Sequence, residues 1–362
     1  MTPRVIVDPV DGELLNLSYL ATCLRRAGRL TDDGELAGFE LERLGSDNSK
    51  LYRIKLIAAA PDGRLPASLL LKTCAGTFGR SEVDYYTKDY ADSDSPPMPR
   101  CYDAAFDGNA YHLLLDDLTA THRNQWDVPP TRTYGEAAAK AVAALHAHRW
   151  GVERIRSAGY PEPDASAIDR YVAYMDQGRG PLLDALREEG LSELAAVAAR
   201  VFDFLPGAMT RRMSLSRDAL TLVHGDLNPG NILSPKEATS GTDGRGVVLI
   251  DRQPFDWSLT SWVGPSDLSY MTVLWWEPEA RRRLEGTVLE TYERELARRG
   301  AAIESRERLW LDYRLSAMQC FYVAASWCID AEERTRMRWL WMSELERAAA
   351  AYRDLRCEEL LA

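Results

Sequence analysis

The hydrophobic pattern changes its period near Leu118, and this change limits what the chain can fold into. Before it, apolar residues alternate as in half-buried strands: Phe39 and Leu41 between glutamates, then Tyr52, Ile54 and Leu56 around Arg53 and Lys55. The segment SLLLK at 68–72, the stretch around Cys101 and YHLLLDD at 111–117 read as three more strands, and SEVDYYTKDY reads as a short helix. Leu14, Leu17, Ala21 and Leu24 recur at helical spacing ahead of Gly28, which predicts an amphipathic helix over 13–27. Beyond Leu118 the period is helical. An alanine-rich helix is expected at 136–150, further helices through Phe204, and two long ones on Leu284 to Leu296 and Leu311 to Tyr322. One strand-rich island, 222–233 and 246–251, interrupts them. The expectation is an α+β chain with an antiparallel-sheet N-terminal lobe, 1–118, and a mainly helical C-terminal lobe, 119–362.

Composition narrows the class of function. With 362 residues, 46% hydrophobic and 27% charged, the chain can bury two cores and is not a disordered one. A net charge of -11 repels a phosphate backbone, so nucleic acid is not an expected partner. The six cysteines are scattered without a CxxC pair, which argues against a zinc site or a disulfide framework. No apolar run is long enough to span a bilayer, and the acidic, proline-bearing N-terminus does not read as a signal peptide; the expected location is cytoplasmic, away from membranes.

The island carries the chemistry. In VHGDLNPGNIL, Asp226 and Asn231 stand five residues apart, and Asp251 ends the apolar run VVLID. That spacing matches the catalytic loop of kinases, where the aspartate orients or deprotonates the attacking hydroxyl and the asparagine binds a magnesium ion on the nucleotide phosphates. Asp251 completes an oxygen ligand set suited to Mg²⁺. Taken alone, HGD and NPGN could be a turn and a helix cap, since Asn, Asp, Gly and Pro are common turn residues. The full ordered set favours catalysis. His224 is expected to brace the loop backbone, because the hydroxyl proton already has a carboxylate to go to.

This constellation resembles the aminoglycoside phosphotransferase and choline kinase group of the protein-kinase-like fold, with its ecdysteroid-kinase-like relatives, over roughly residues 35–275. The resemblance implies a bilobal fold and a small-molecule kinase that uses ATP or GTP with Mg²⁺. It places Lys72, one of only six lysines, on the nucleotide phosphates, with Glu82 as its partner. The turn LGSDNSK is similar to the loop over the triphosphate, which would bring in Gly45, Ser46, Asn48 and Ser49. HLLLDDL is similar to the hinge, whose backbone groups at Leu115, Asp116 and Leu118 would meet the purine. His146 and His148 are structural on this view, and Asp267 supports the catalytic loop from a helix start.

Two departures bear on the acceptor. Arg252 and Gln253 follow Asp251 where protein kinases have Phe and Gly, and only 15 residues separate Asp251 from Asp267, too few for a regulated activation segment. Gly225 also replaces the arginine that reads an activation-loop phosphate in many protein kinases. Small-molecule acceptors are therefore favoured over proteins: a natural product, an antibiotic or an amino alcohol, with antibiotic resistance one such role. A nucleotide-binding pseudokinase scaffold and a protein kinase are the alternatives. Eight of the ten tryptophans follow residue 250, most of them expected in the core. Trp275, Trp276, Glu277 and Asp256 are the candidate acceptor contacts.

Overall fold

The computed structural model describes residues 14–45, 49–60, 63–76, 80–126, 128–161, 164–215, 217, 219–236, 246–252, 258–301 and 303–361. They form two compact units, one of residues 1–94 with 98–123 and one of 95–97 with 124–362.

In the first unit, strands β1 (Leu36–Leu44), β2 (Lys50–Ala58), β3 (Ser68–Ala75), β4 (Cys101–Phe106) and β5 (Ala110–Asp116) build an antiparallel sheet in the order β1-β2-β3-β5-β4. Alternation puts Tyr52, Ile54, Leu69, Leu71 and Leu114 on one face, where Leu20 and Leu24 of helix α1 (Leu17–Arg26) cover them. This helix starts four residues later than the sequence pattern predicts, because the Asn16 side chain accepts the Tyr19 N–H and caps it there. Gly28, at φ 67°, ends it as expected. After β3, helix α2 (Arg80–Asp84) passes into a π-helical turn, Tyr85–Asp89, where the sequence suggests one continuous helix.

The second unit is helical: α3 (Arg132–His148), α4 (Val152–Ser157), α5 (Ala165–Glu188), α6 (Ser192–Leu215), α7 (Pro265–Ser269), α8 (Pro278–Arg298), α9 (Arg306–Ser326), α10 (Ala331–Arg336) and α11 (Arg338–Asp354). The small side chains of α3 let it lie close against α8. At Gly135 a Cβ would stand 3.0 Å from Val288 and 3.3 Å from Trp276. Helix α9 packs among α5, α6 and α11 on Phe202, Phe321, Tyr322 and Trp341, all fully buried. Gly178 of α5 meets the Ala325 carbonyl of α9 so closely that any side chain would collide with backbone.

The island is less regular than its pattern. Residues 223–231, expected to be strand, form a loop between β6 (Leu220–Leu222) and β7 (Ile232–Pro235), and only Val248–Leu249 of 246–251 is a strand, β8. Strand β6 pairs with β9 (Ser261–Val263), and β7 pairs antiparallel with β8. The loop's Asn228 and Asn231 side chains satisfy backbone groups that a ladder would otherwise pair.

Candidate active site

In the first unit, the Lys72 Nζ stands 2.9 Å from both carboxylate oxygens of Glu82. Lys72 is on β3 and Glu82, 5% exposed, is on α2. A third member was not apparent in the sequence: the Tyr111 hydroxyl donates to Glu82 Oε2 at 2.7 Å, and its ring lies under the ammonium at 5.8 Å. Tyr111 comes from β5, so only the sheet register brings it there. Gly45 sits exposed at the end of the β1–β2 hairpin and Ser49 at its return; Ser46 and Asn48 lie outside the described residues.

The three hinge candidates differ. Leu115 stands between Leu70 and Cys101 in the sheet, and the Asp116 N–H donates to the Arg100 carbonyl at 3.0 Å. Among the described residues the Leu118 N–H has no acceptor. Both acidic side chains are engaged inside the unit. Asp116 accepts from the Tyr102 hydroxyl at 2.7 Å, and Asp117 accepts from Arg53 at 2.8 Å and Ser68 at 2.7 Å.

In the second unit, the loop 223–231 is organised around Asp226. Its Oδ1 accepts from Asn228 Nδ2 and from the Tyr270 hydroxyl, each at 2.9 Å. Asn231 Nδ2 donates to the Asp226 carbonyl at 2.9 Å and more weakly to Oδ2 at 3.2 Å. One carboxylate oxygen is thus held from two sides while the other retains capacity for a further proton donor. Burial pushes the Asp226 carboxyl up to about 6, assisted by the Asp251 charge and opposed by the Asn228, Tyr270 and Asn231 donors. Asn228 and Tyr270 were not singled out in the sequence. Tyr270 lies three residues after Asp267 along the same helical segment, a spacing that is visible there.

Two further groups fix the loop. Asp267, on α7, accepts the backbone N–H of His224 at 2.6 Å and of Gly225 at 2.8 Å, and it bonds His146 Nε2 at 2.9 Å. Those donors hold its carboxyl below the usual range although burial opposes them. The other nitrogen of His146 meets the Tyr292 hydroxyl at 2.7 Å, so this histidine is a buried strut. His224 Nε2 reaches the Ile250 carbonyl at 3.0 Å, and burial pushes its pKa down to about 4, which keeps it a neutral brace. Gly225 has φ 82°, a left-handed conformation that disfavours the arginine many protein kinases carry there.

Asn231 and Asp251 are brought together by the β7–β8 pair. The Ile250 N–H donates to the Asn231 carbonyl at 3.0 Å, and Asp251 follows at once with φ 59°. A left-handed backbone is uncommon outside glycine and marks positions with a task. With Nδ2 spent on Asp226, the Asn231 Oδ1 is the ligand atom left, a hard oxygen like those of the Asp251 carboxylate.

Of the acceptor candidates, Asp256 lies outside the described residues. Trp275, Trp276 and Glu277 line a cavity of about 730 Å³ that also reaches Pro229 of the loop 223–231. Trp276 is almost wholly buried, 3% exposed, and Glu277 is paired with Arg347 at 2.5 Å. Trp262 and Trp341 are core residues bonded to Gln319 and the Arg334 carbonyl. Glu344 on α11, 1% exposed, was missed altogether. It interacts electrostatically with Asp226 and Tyr270, and burial pushes its carboxyl up to about 8. Trp327 lies near enough to hold it lower, though Glu344 Oε2 meets no partner in ordinary hydrogen-bond geometry among the described residues.

Residues 82–303 match the model of a phosphotransferase enzyme family, abbreviated APH, over more than half of the chain. The chain belongs to that family. This phosphotransferase is a small-molecule kinase with a hydroxyl acceptor, and its five-stranded antiparallel sheet and helical second unit are those of the protein-kinase-like fold. It is similar to a glucosamine kinase structure at 15% identity and TM-score 0.54, over 94% of this chain and 81% of that one. A glucosamine kinase in complex with glucosamine, ADP and inorganic phosphate aligns at 14% identity and TM-score 0.52, over 91% and 82%. An aminoglycoside-3'-phosphotransferase of type VIII aligns at 21% identity and TM-score 0.41, over 82% of this chain and 97% of that one. No curated protein matches this phosphotransferase.

Proposed function

We propose that this phosphotransferase transfers the γ-phosphoryl of ATP or GTP to a hydroxyl of a natural product, an antibiotic or an amino alcohol, with Asp226 as the base. The observation that carries the reading is the partition of the Asp226 carboxylate, Oδ1 gripped by Asn228 and Tyr270 and Oδ2 left to accept. At neutral pH this carboxyl is ionised, and it can take the acceptor's proton as the oxygen bonds to phosphorus. Lys72, held by Glu82, is the group for the nucleotide phosphates, and the Leu118 N–H, without an acceptor among the described residues, is a donor for the purine.

Asn231 Oδ1 and Asp251 suit a magnesium ion in donor chemistry. Among the described residues no three His, Cys, Asp or Glu side chains converge as a metal cage, so such an ion would take its remaining ligands from phosphate and water. When bound, it would neutralise charge on the transferring phosphoryl group. Asp267 and His224 contribute by keeping the loop in one conformation before substrate arrives.

The test is a mass-spectrometric screen of hydroxyl-bearing metabolites and antibiotics for phosphoryl gain, with ATP or GTP and Mg²⁺, beside the Asp226→Asn variant. The variant is expected to lose about 10²- to 10⁴-fold in kcat with nucleotide Kd unchanged. Turnover near wild type would remove Asp226 from the role.

A further inference from the structure

The cavity against the catalytic loop has a composition that selects among acceptors. Pro229 lines it, and a Cβ at Gly230 would stand 2.7 Å from the Trp126 Nε1, so the Trp126 indole lies directly on the loop that carries Asp226 and Asn231. Trp126 is 50% exposed and Trp339, from α11, is 65% exposed, an unusual solvent cost for two indoles at one cavity. At about 730 Å³ it is of a size to enclose a small organic molecule.

Its charges cancel. Among the described residues the lining carries two glutamates, Glu277 and Glu279, and two arginines, Arg283 and Arg347. Glu277 is already committed to Arg347. A polycation would find one uncommitted carboxylate and meet an opposing guanidinium. Nor do Trp126 and Trp275 leave room for an ammonium group between their rings. Trp126 and Trp275 meet edge to face, with centroids 5.1 Å apart and planes at 89°, so the edge of one covers a face of the other. What remains is the exposed apolar surface of Trp126 and Trp339 beside a rim whose described charges balance. A sugar ring offers the matching surfaces: a face of C–H groups for the indoles and hydroxyls around its edge for the rim.

We propose that this cavity is the acceptor subsite and that it takes a neutral glycoside, stacked on Trp126 and Trp339, in preference to a polycation. The inference narrows the substrate class of the function proposed above and rests on that reading.

Titration calorimetry on the full chain tests it with two probes, phenyl β-D-glucoside and kanamycin. The expected result is that the glucoside binds and kanamycin does not. Trp339→Ala should weaken glucoside binding by about tenfold and Trp339→Phe should restore most of it, because the aromatic face is what counts. Trp310, 38% exposed but lining no part of this cavity, serves as control, and Trp310→Ala should bind as wild type does. Both tryptophans are exposed enough for their variants to fold. Tighter binding of kanamycin, glucoside binding indifferent to Trp339→Ala, or no glucoside binding at millimolar concentration would each overturn the proposal. Its failure is separable from that of the kinase reading. Phosphoryl transfer to kanamycin overturns the neutral acceptor and leaves the kinase standing, whereas Trp339-dependent glucoside binding without transfer to any acceptor does the reverse.

Discussion

A carboxylate does useful work as a base only if it is ionised when the acceptor arrives, and Asp226 is balanced near that limit. Burial raises its pKa to about 6 while three donors pull it down. The kcat of the wild-type enzyme should therefore fall as pH drops through about 6. Tyr270→Phe removes a donor that favours the charged form, so this limb should move toward neutral pH; an unmoved limb would show the Tyr270 bond to be only structural. Asp251, Glu344 and His224 also act around this group, but His224 stays neutral over that range. Glu344 makes a different case. Its folded pKa of about 8 lies above its ordinary value, so the native state binds an extra proton between about 4.5 and 8. By linkage the native state loses stability as pH rises through that window, by up to about 1.4 kcal/mol per pH unit. Glu344→Gln removes the effect. Its melting temperature should exceed that of wild type at pH 9 and approach it at pH 5.

The catalytic loop has little regular structure of its own, and its shape is supplied by neighbouring elements. Helix α7 brings Asp267 under the His224 and Gly225 amides, α3 brings His146 to Asp267, and the β7–β8 pair sets Asn231 beside Asp251. Asp267→Ala would leave the buried His224 amide, the Gly225 amide and a histidine nitrogen without this acceptor, a loss on the order of 3–5 kcal/mol. Thermal melts and kinetics should show Tm and kcat falling together. Asp226→Asn should lower kcat alone, which separates the residue that reacts from the one that holds it. The π-helical turn Tyr270–Leu274 belongs at this scale too, since it carries Tyr270 and leads directly into Trp275 of the cavity.

For the whole molecule, ligand binding should appear as stability. Magnesium nucleotide at about 100 times its Kd should add about 2.7 kcal/mol to the native state, and Lys72→Ala should reduce that thermal shift without lowering the Tm of the free protein by a similar amount. An equal shift in the variant would remove Lys72 from phosphate binding. Much of this molecule was legible in its sequence where the signal is local. Alternation in β1 and β2 and the 3.6-residue period of α3, α8 and α9 follow from which side chains must leave water. The order His224, Asp226, Asn231, Asp251 was legible because the chemistry needs those groups at short spacings. Local signals also misled: Asn16 shortened the first helix, and residues 223–231 exchanged a ladder for side-chain bonds. Tyr111 on Glu82, Tyr270 on Asp226 and Glu344 beside them were decided only by tertiary structure, since each contact depends on strand register or helix packing across 29 to more than 100 residues of chain. The sequence by itself determined which residues are candidates to react and most of the segments that are strand or helix, because both depend on near neighbours. Tertiary structure alone decided which oxygen of Asp226 stays open, how far burial raises its pKa and which tryptophans face a cavity, because those depend on distances and desolvation that exist only once the chain has packed.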